Sequence, residues 1–175
     1  GGTAGDIIVA GAGDDTINGG AGSDTLTFTD AGATNDLDLV TNIETITVGA
    51  ATTSVTTVDA LVASGATLTV NGAAATTSFT FNAAAETNGT LIVTGGTGIT
   101  NSVTFGDSAL ANKYVGSTGA DTLTFGTQAA LAAAASGTTG GTGANVLAIA
   151  AASTGIVDAN FANFALFQTL TLSGT

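Results

Sequence analysis

Polar and apolar residues alternate singly over short stretches along most of the chain. Examples are T-L-T-F at 25–28, T-I-T-V at 45–48, T-L-T-V at 67–70, S-F-T-F at 78–81, S-V-T-F at 102–105 and T-L-T-L at 169–172. A period of two sends every second side chain to the same face, so each stretch predicts a strand buried on one face. Threonine and valine suit that pleated, half-buried geometry. The strands recur inside a longer phrase: an Asp or Asn, a short apolar-alanine stretch, a strand, a small-residue turn and a second strand. Copies start at Asp36, Asp59 and Asn82, 23 residues apart, with Asp107 25 further on. A period of that length signals a solenoid. Two strands per coil with small corner residues predict a flattened, right-handed parallel β-helix. Phe79, Phe81, Phe105 and Phe125 fall at inward positions, as core stacks along its axis.

A second, shorter period precedes this one. Gly1 to Thr27 reads as three nonapeptides in register: G-G-T-A-G-D-I-I-V, A-G-A-G-D-D-T-I-N and G-G-A-G-S-D-T-L-T. Small residues occupy positions one, two and four, an aspartate position six (Asp6, Asp15, Asp24), and a large apolar residue position eight (Ile8, Ile17, Leu26). The first six residues form a tight turn that requires glycine or alanine, because the backbone must reach positive φ and pack against backbone. The last three form a short strand. Two nonapeptides complete one coil, so turns eighteen residues apart stack on one edge, about 4.8 Å apart. Asp6 then lies over Asp24, with Asp15 at the opposite edge.

Two carboxylates about 5 Å apart repel by roughly 1 kcal/mol in water, and by more in a partly desolvated turn. A hard divalent cation removes that repulsion and accepts carboxylate and carbonyl oxygens together, which suits Ca2+. The expected carbonyl donors are Gly2, Ala4, Gly20 and Gly22. These three copies resemble the calcium β-roll of RTX proteins, and that resemblance carries the ligand role to Asp6, Asp15, Asp24 and Asp121. Ala4 and Ala10 depart from the glycine consensus of the family.

Asp121 enters because the pattern returns late in the chain. Gly116 to Thr124 reads G-S-T-G-A-D-T-L-T, and Phe125 follows it as Phe28 follows Thr27. Gly140 to Ala148 reads G-G-T-G-A-N-V-L-A, with Asn145 at the aspartate position, a copy expected to keep the fold while binding calcium weakly or not at all. The segments from D-T-L-T-F to I-E-T-I-T-V and from D-T-L-T-F to F-Q-T-L-T-L are two versions of one module. The second carries an insertion in which Ala129 to Ala135 is read as a short helix against the wall. Phe161, Phe164 and Phe167, spaced by three, suit one face of a helical turn packed on the core or a contact for a neighbouring module. The division is therefore a β-roll over 1–27, Thr/Ala/Gly-rich β-helix coils over 28–112, and a second RTX-like module with an insertion over 113–175.

Composition narrows the function. Thirteen acidic residues face one base, Lys113, for a net charge of −12. That balance argues against nucleic acid and anionic membrane, which call for Lys and Arg. Large side chains are few, so the core must be narrow. Cysteine and histidine are absent, which excludes disulfides, thiol nucleophiles and Cys-based zinc sites. No apolar run is long enough to span a bilayer and no signal peptide is present. With no initiator Met and an opening inside a repeat, the chain is expected to be a segment of a longer protein.

Catalysis is not expected. Asp14 with Asp15, and Asp36 with Asp38, are nominal carboxylate pairs. However, Asp14 occupies a turn position and Asp15 a ligand position. Asp36, Asp59, Asp107 and Asp158 each precede an apolar-alanine stretch, as helix N-caps do. Without His, Cys or Arg, most nucleophile–base and oxyanion arrangements cannot be assembled.

Calcium nonapeptides joined to Thr/Ala/Gly-rich coils resemble the lattice-forming part of bacterial RTX-type S-layer proteins. The resemblance implies type I secretion, folding in extracellular calcium, and self-association into a lattice or fibre at the cell surface. Surface polysaccharide would be bound by a region outside this segment. Two other readings use the same residues: the spacer of a repetitive RTX adhesin or extracellular filament, and the secretion and folding module of an RTX-tailed enzyme.

Overall fold

A computed structural model describes residues 1–11, 15–29, 32–33 and 37–173. The chain winds as a parallel β-solenoid whose coils share two long walls. The first wall holds β1 (Ile7–Ala10), β3 (Thr25–Phe28), β6 (Thr45–Val48), β8 (Thr67–Asn71), β10 (Thr90–Thr94), β12 (Lys113–Val115), β14 (Thr138–Thr139) and β16 (Phe164–Ala165). The second holds β4 (Gly32–Ala33), β7 (Thr52–Thr56), β9 (Ser78–Ala83), β11 (Thr100–Phe105), β13 (Thr122–Phe125), β15 (Val146–Ile149) and β17 (Thr169–Leu172). A short third side carries β2 (Ile17–Asn18) paired with β5 (Val40–Thr41). Later coils fill that side with a 3-10 turn at Asp59–Leu61, helix α1 (Gln128–Ala133) and a 3-10 turn at Asp158–Phe161.

The N-terminal coil is an 18-residue roll, since Ile7 pairs with Thr25. It runs without a break into the larger coils, because β3 also pairs with β6, Thr25 with Thr45. The first wall is equally continuous at the start of the third segment, where β10 pairs with β12. What changes is the cross-section. The second wall begins only at β4, so the added residues per coil build a new wall instead of lengthening the roll's turns.

Threonine and apolar residues separate as their alternation predicts. In β3, β6 and β13, Thr is half-buried on the outside and Leu, Ile, Val or Phe is buried inside. Register then stacks like on like. Leu26, Ile46, Val70, Val93 and Tyr114 form one inward column on the first wall. Val55, Phe81, Val103, Leu123 and Leu147 form another on the second. Phe105 and Phe125 are fully buried with ring centres 5.4 Å apart. Phe105→Ala should leave a cavity between neighbouring coils and cost about 3–5 kcal/mol, measured by chemical denaturation.

Two local expectations meet different structures. The helix at 128–133 forms and buries Ala130 and Leu131, but its cap is Thr127, whose Oγ1 accepts the Ala130 amide at 3.2 Å. Asp59 and Asp158 lie inside the first turn of their 3-10 segments and cap neither. The N-cap positions fall one residue earlier, at Val58 and Val157, and Asp59 bonds across coils instead, accepting from the Thr87 amide at 2.7 Å. Asp14 and Asp36 lie outside the described residues. The Phe161, Phe164 and Phe167 set does not share one helical face, since Phe161 ends a 3-10 turn and Phe164 opens β16. Phe164 packs edge-on against Phe125 at 5.7 Å and against Phe167 at 6.1 Å, over the last coil.

Candidate metal centre

The site is built from the residue that precedes each wall strand. In an extended strand this residue faces inward at the corner, where its backbone amide points along the axis toward the next coil. Asp24 sits there, fully buried, and its Oδ1 accepts the Asp6 amide at 2.7 Å, eighteen residues earlier. Glu44 repeats the move, with its Oε2 accepting the Asp24 amide at 2.7 Å. Three acids thus succeed one another in one column. Sequence reasoning gave Glu44 no role, although E-T-I-T aligns with D-T-L-T and places it one coil beyond Asp24.

The turns stack as closely as their glycines allow. Gly20 and Gly22 have φ of 97° and 137°, in the region L side chains avoid. A Cβ on Gly20 would come 2.5 Å from the Gly2 carbonyl oxygen, and one on Gly22 2.7 Å from that of Ala4. Gly2 and Ala4 therefore present their carbonyls to the turn eighteen residues on. The Gly2 oxygen also accepts the Ala21 amide at 2.9 Å, and Asp6 Oδ2 accepts the Gly2 amide at 3.1 Å.

One oxygen in this turn has no donor. Asp24 Oδ2 is buried and lacks a hydrogen-bond partner among the described residues. A Cβ on Gly19 would sit 2.7 Å from it, so it lies over the turn backbone. A buried carboxylate oxygen without a hydrogen-bond donor is costly unless a cation meets it. The same Gly19 Cβ would meet the Asn42 carbonyl oxygen, and carboxylate with carbonyl oxygens are a hard-oxygen set that fits calcium. No three acidic side chains converge among the described residues, so carbonyls must supply much of any coordination. Asp15 lies apart, exposed, just before β2 on the third side. Extending the pairing of Ile17 with Val40 by two residues sets it beside the coil position of exposed Asp38.

The later copies answer the same demand with hydrogen-bond donors. Asp121, also fully buried, accepts the Asn101 amide at 3.2 Å and Asn101 Nδ2 at 2.7 Å on Oδ1. Its Oδ2 accepts the Tyr114 hydroxyl at 2.8 Å, where Asp24 Oδ2 has nothing. Burial pushes the Tyr114 hydroxyl well above its ordinary range, and the Asp121 charge and hydrogen bond push it further. Asn145 continues the column: its Oδ1 accepts the Asp121 amide at 2.9 Å, while its Nδ2 donates to the carbonyls of Gly141 at 3.0 Å and Leu166 at 2.9 Å. Gln168 closes it, accepting the Asn145 amide at 2.7 Å. An amide N–H here holds the carbonyls of two stacked turns together, as a cation would.

The family model of the RTX calcium-binding nonapeptide repeat (4 copies) matches residues 1–36. Residues 1–36 are thus similar to a run of RTX calcium-binding repeats. The match extends nine residues past the three copies legible by eye, from 28 to 36, into the stretch where the second wall begins. No curated protein and no solved structure matches the chain. Among the described residues, no helix is long and apolar enough to cross a membrane.

Proposed function

We propose that this chain is a lattice-forming segment of a calcium-dependent, extracellular structural protein of the RTX S-layer kind. The observation that carries the calcium part is the stacked pair of turns at Asp6 and Asp24, inside the matched repeats, with Asp24 Oδ2 buried and without a donor. Asp6, Asp24 and the carbonyls of Gly2, Ala4, Gly20 and Gly22 would hold the ion, with Asp15 serving the opposite edge. Calcium supplies positive charge between stacked turns. The chain's own residues fix the turns, bury the apolar columns and propagate register from coil to coil. Asp121 takes part in that propagation through hydrogen bonds, with no metal required.

Apolar surface at both ends of the solenoid favours the stacking of a further coil, of the same protein or of a neighbouring copy. Ile7 and Val9 are 79% and 64% exposed on the outside of β1, at positions that hold threonine in β3 and β6. At the other end Leu170 and Leu172 pair in register with buried Leu147 and Ile149, yet stand 44% and 52% exposed. Beside them Phe161, Phe164 and Phe167 line an open cavity of about 320 Å³. Such surfaces favour coverage, by a continuing coil or by another solenoid. Calcium would also screen the acidic walls as copies approach. Electron microscopy of the parent protein, with light scattering during calcium addition, tests this. Sheets or fibres that form only with calcium are expected. A parent that folds on calcium and stays monomeric at high concentration would reject the lattice and favour a spacer.

A further inference from the structure

The acid that remains unexplained is Glu86. It lies in the corner between β9 and β10, is 1% exposed, and has no positively charged partner among the described residues. Its Oε1 is well satisfied, accepting the Asn88 amide at 2.9 Å and the Gly89 amide at 2.7 Å. Its Oε2 is buried without a partner. Two further buried oxygens lack partners: Asn88 Oδ1 in this corner and Thr57 Oγ1 at the end of β7, one coil before it.

Register brings the segments that carry these groups onto neighbouring coils. Thr56 pairs with Asn82 and the Thr57 amide donates to the Asn82 carbonyl at 2.9 Å, so Thr57 stands one coil before Ala83. Thr57 is 1% exposed and continues the inward side of β7 after Val55. The Glu86 amide in turn donates to the Ala83 carbonyl at 3.2 Å, which brings the Glu86 backbone back to that point. Asn88 is oriented from the other side: Asp59 Oδ1 and Oδ2 both lie 3.4 Å from its Nδ2, which turns Asn88 Oδ1 away from Asp59. On the next coil Gly106 packs against the carbonyl oxygens of Ala84 and Glu86, each 2.8 Å from where its Cβ would be.

Carboxylate, amide carbonyl and hydroxyl oxygens are the donors that hard cations take. A buried carboxylate oxygen beside other acceptors is otherwise a large desolvation cost. From this we infer that Thr57, Glu86 and Asn88 form a second cation site, outside the nonapeptide repeats, with Asp59 orienting Asn88. It takes a hard, oxygen-liganded cation of the calcium class and ties the coil at β7 to the coil at β9. The site stands on its own observations and does not depend on the repeats binding metal.

Equilibrium dialysis of the full chain against calcium, with bound metal counted by mass spectrometry, tests it. The Asp6→Asn, Asp24→Asn double variant is the background, so that loss at the repeats is separated from loss at this corner. That background should still bind calcium, and adding Glu86→Gln should remove one ion per chain. Thr57→Val, which preserves shape, should weaken that ion's binding about tenfold and guards against a Glu86 variant that fails to fold. A background that binds no calcium, or an unchanged count and affinity in both added variants, would overturn the site.

Discussion

Chelating calcium should melt the coils at β1 and β3 while the coils from β11 onward stay folded. The two regions differ in how their corner columns are satisfied. Around Asp24 the groups are acceptors: its own Oδ2 without a partner, Asp6 one coil away, Glu44 on the next. Around Asn101 and Asn145 amide donors are interleaved, and Tyr114 donates a hydroxyl. Calcium at a hundred times its dissociation constant stabilises the state that binds it by about 2.7 kcal/mol, and withdrawal removes that margin. The N-terminal roll has little to offset the loss, with Ile7 and Val9 exposed and only Ala10, Leu26 and Phe28 buried among the residues of β1 and β3. Hydrogen exchange should show fast amides over 7–10 and 25–28 in chelator and protection in millimolar calcium. Asp24→Asn sharpens the expectation into a sign reversal. With calcium the variant should be less stable than the parent; in chelator it should be more stable, because an amide N–H replaces the unpaired charge as it does at Asn145. Protection of 7–10 that is indifferent to calcium in both proteins would reject the metal centre.

The parts of this structure legible in the sequence are those with a period. T-L-T-F and T-I-T-V state both the strand and its buried face, and the nonapeptide states the 18-residue coil. Both descend from side chains pointing alternately in and out, a property of a few consecutive residues. Asp24 was legible for the same reason, since its turn, strand and stacking partner all repeat. Other features depend on which residues meet across coils separated by about twenty positions or more. Thr127 as the cap of α1, Asp59 bonding to Thr87, and Glu44 following Asp24 are set by register, and register shifts from coil to coil as 18 residues become 20 and then more. Asp121 shows the limit most clearly. G-S-T-G-A-D-T-L-T is nearly the same phrase as G-G-A-G-S-D-T-L-T, yet β3 lies in the first wall and β13 in the second. Placement in the second wall puts Tyr114 from the first wall within reach of the Asp121 carboxylate. No local pattern encodes that meeting.

Asp121→Ala should destabilise the chain equally in calcium and in chelator. The substitution leaves three buried hydrogens without an acceptor: that of the Asn101 amide, one of the two on Asn101 Nδ2, whose other bonds the Gly96 carbonyl, and that of the Tyr114 hydroxyl. At about 1–3 kcal/mol for each buried group left unsatisfied, the total reaches about 3 kcal/mol or more, a large fraction of a domain's stability. Tyr114→Phe removes a single donor from a carboxylate and should cost about 1.5–3 kcal/mol. The two variants differ again at high pH. The folded-state Tyr114 holds its proton above the range where an unfolded tyrosine, near 10, releases it. The folded state therefore binds more protons than the unfolded state above that point, and stability falls as pH rises through it. Below pH 10 the contribution is complete. Urea denaturation of the parent should show a declining midpoint above pH 10 that is absent from Tyr114→Phe. In Asp121→Ala the decline should be shallower, since burial still raises the hydroxyl but the neighbouring charge is gone. A destabilisation by Asp121→Ala that appears only when calcium is present would show instead that this carboxylate holds metal.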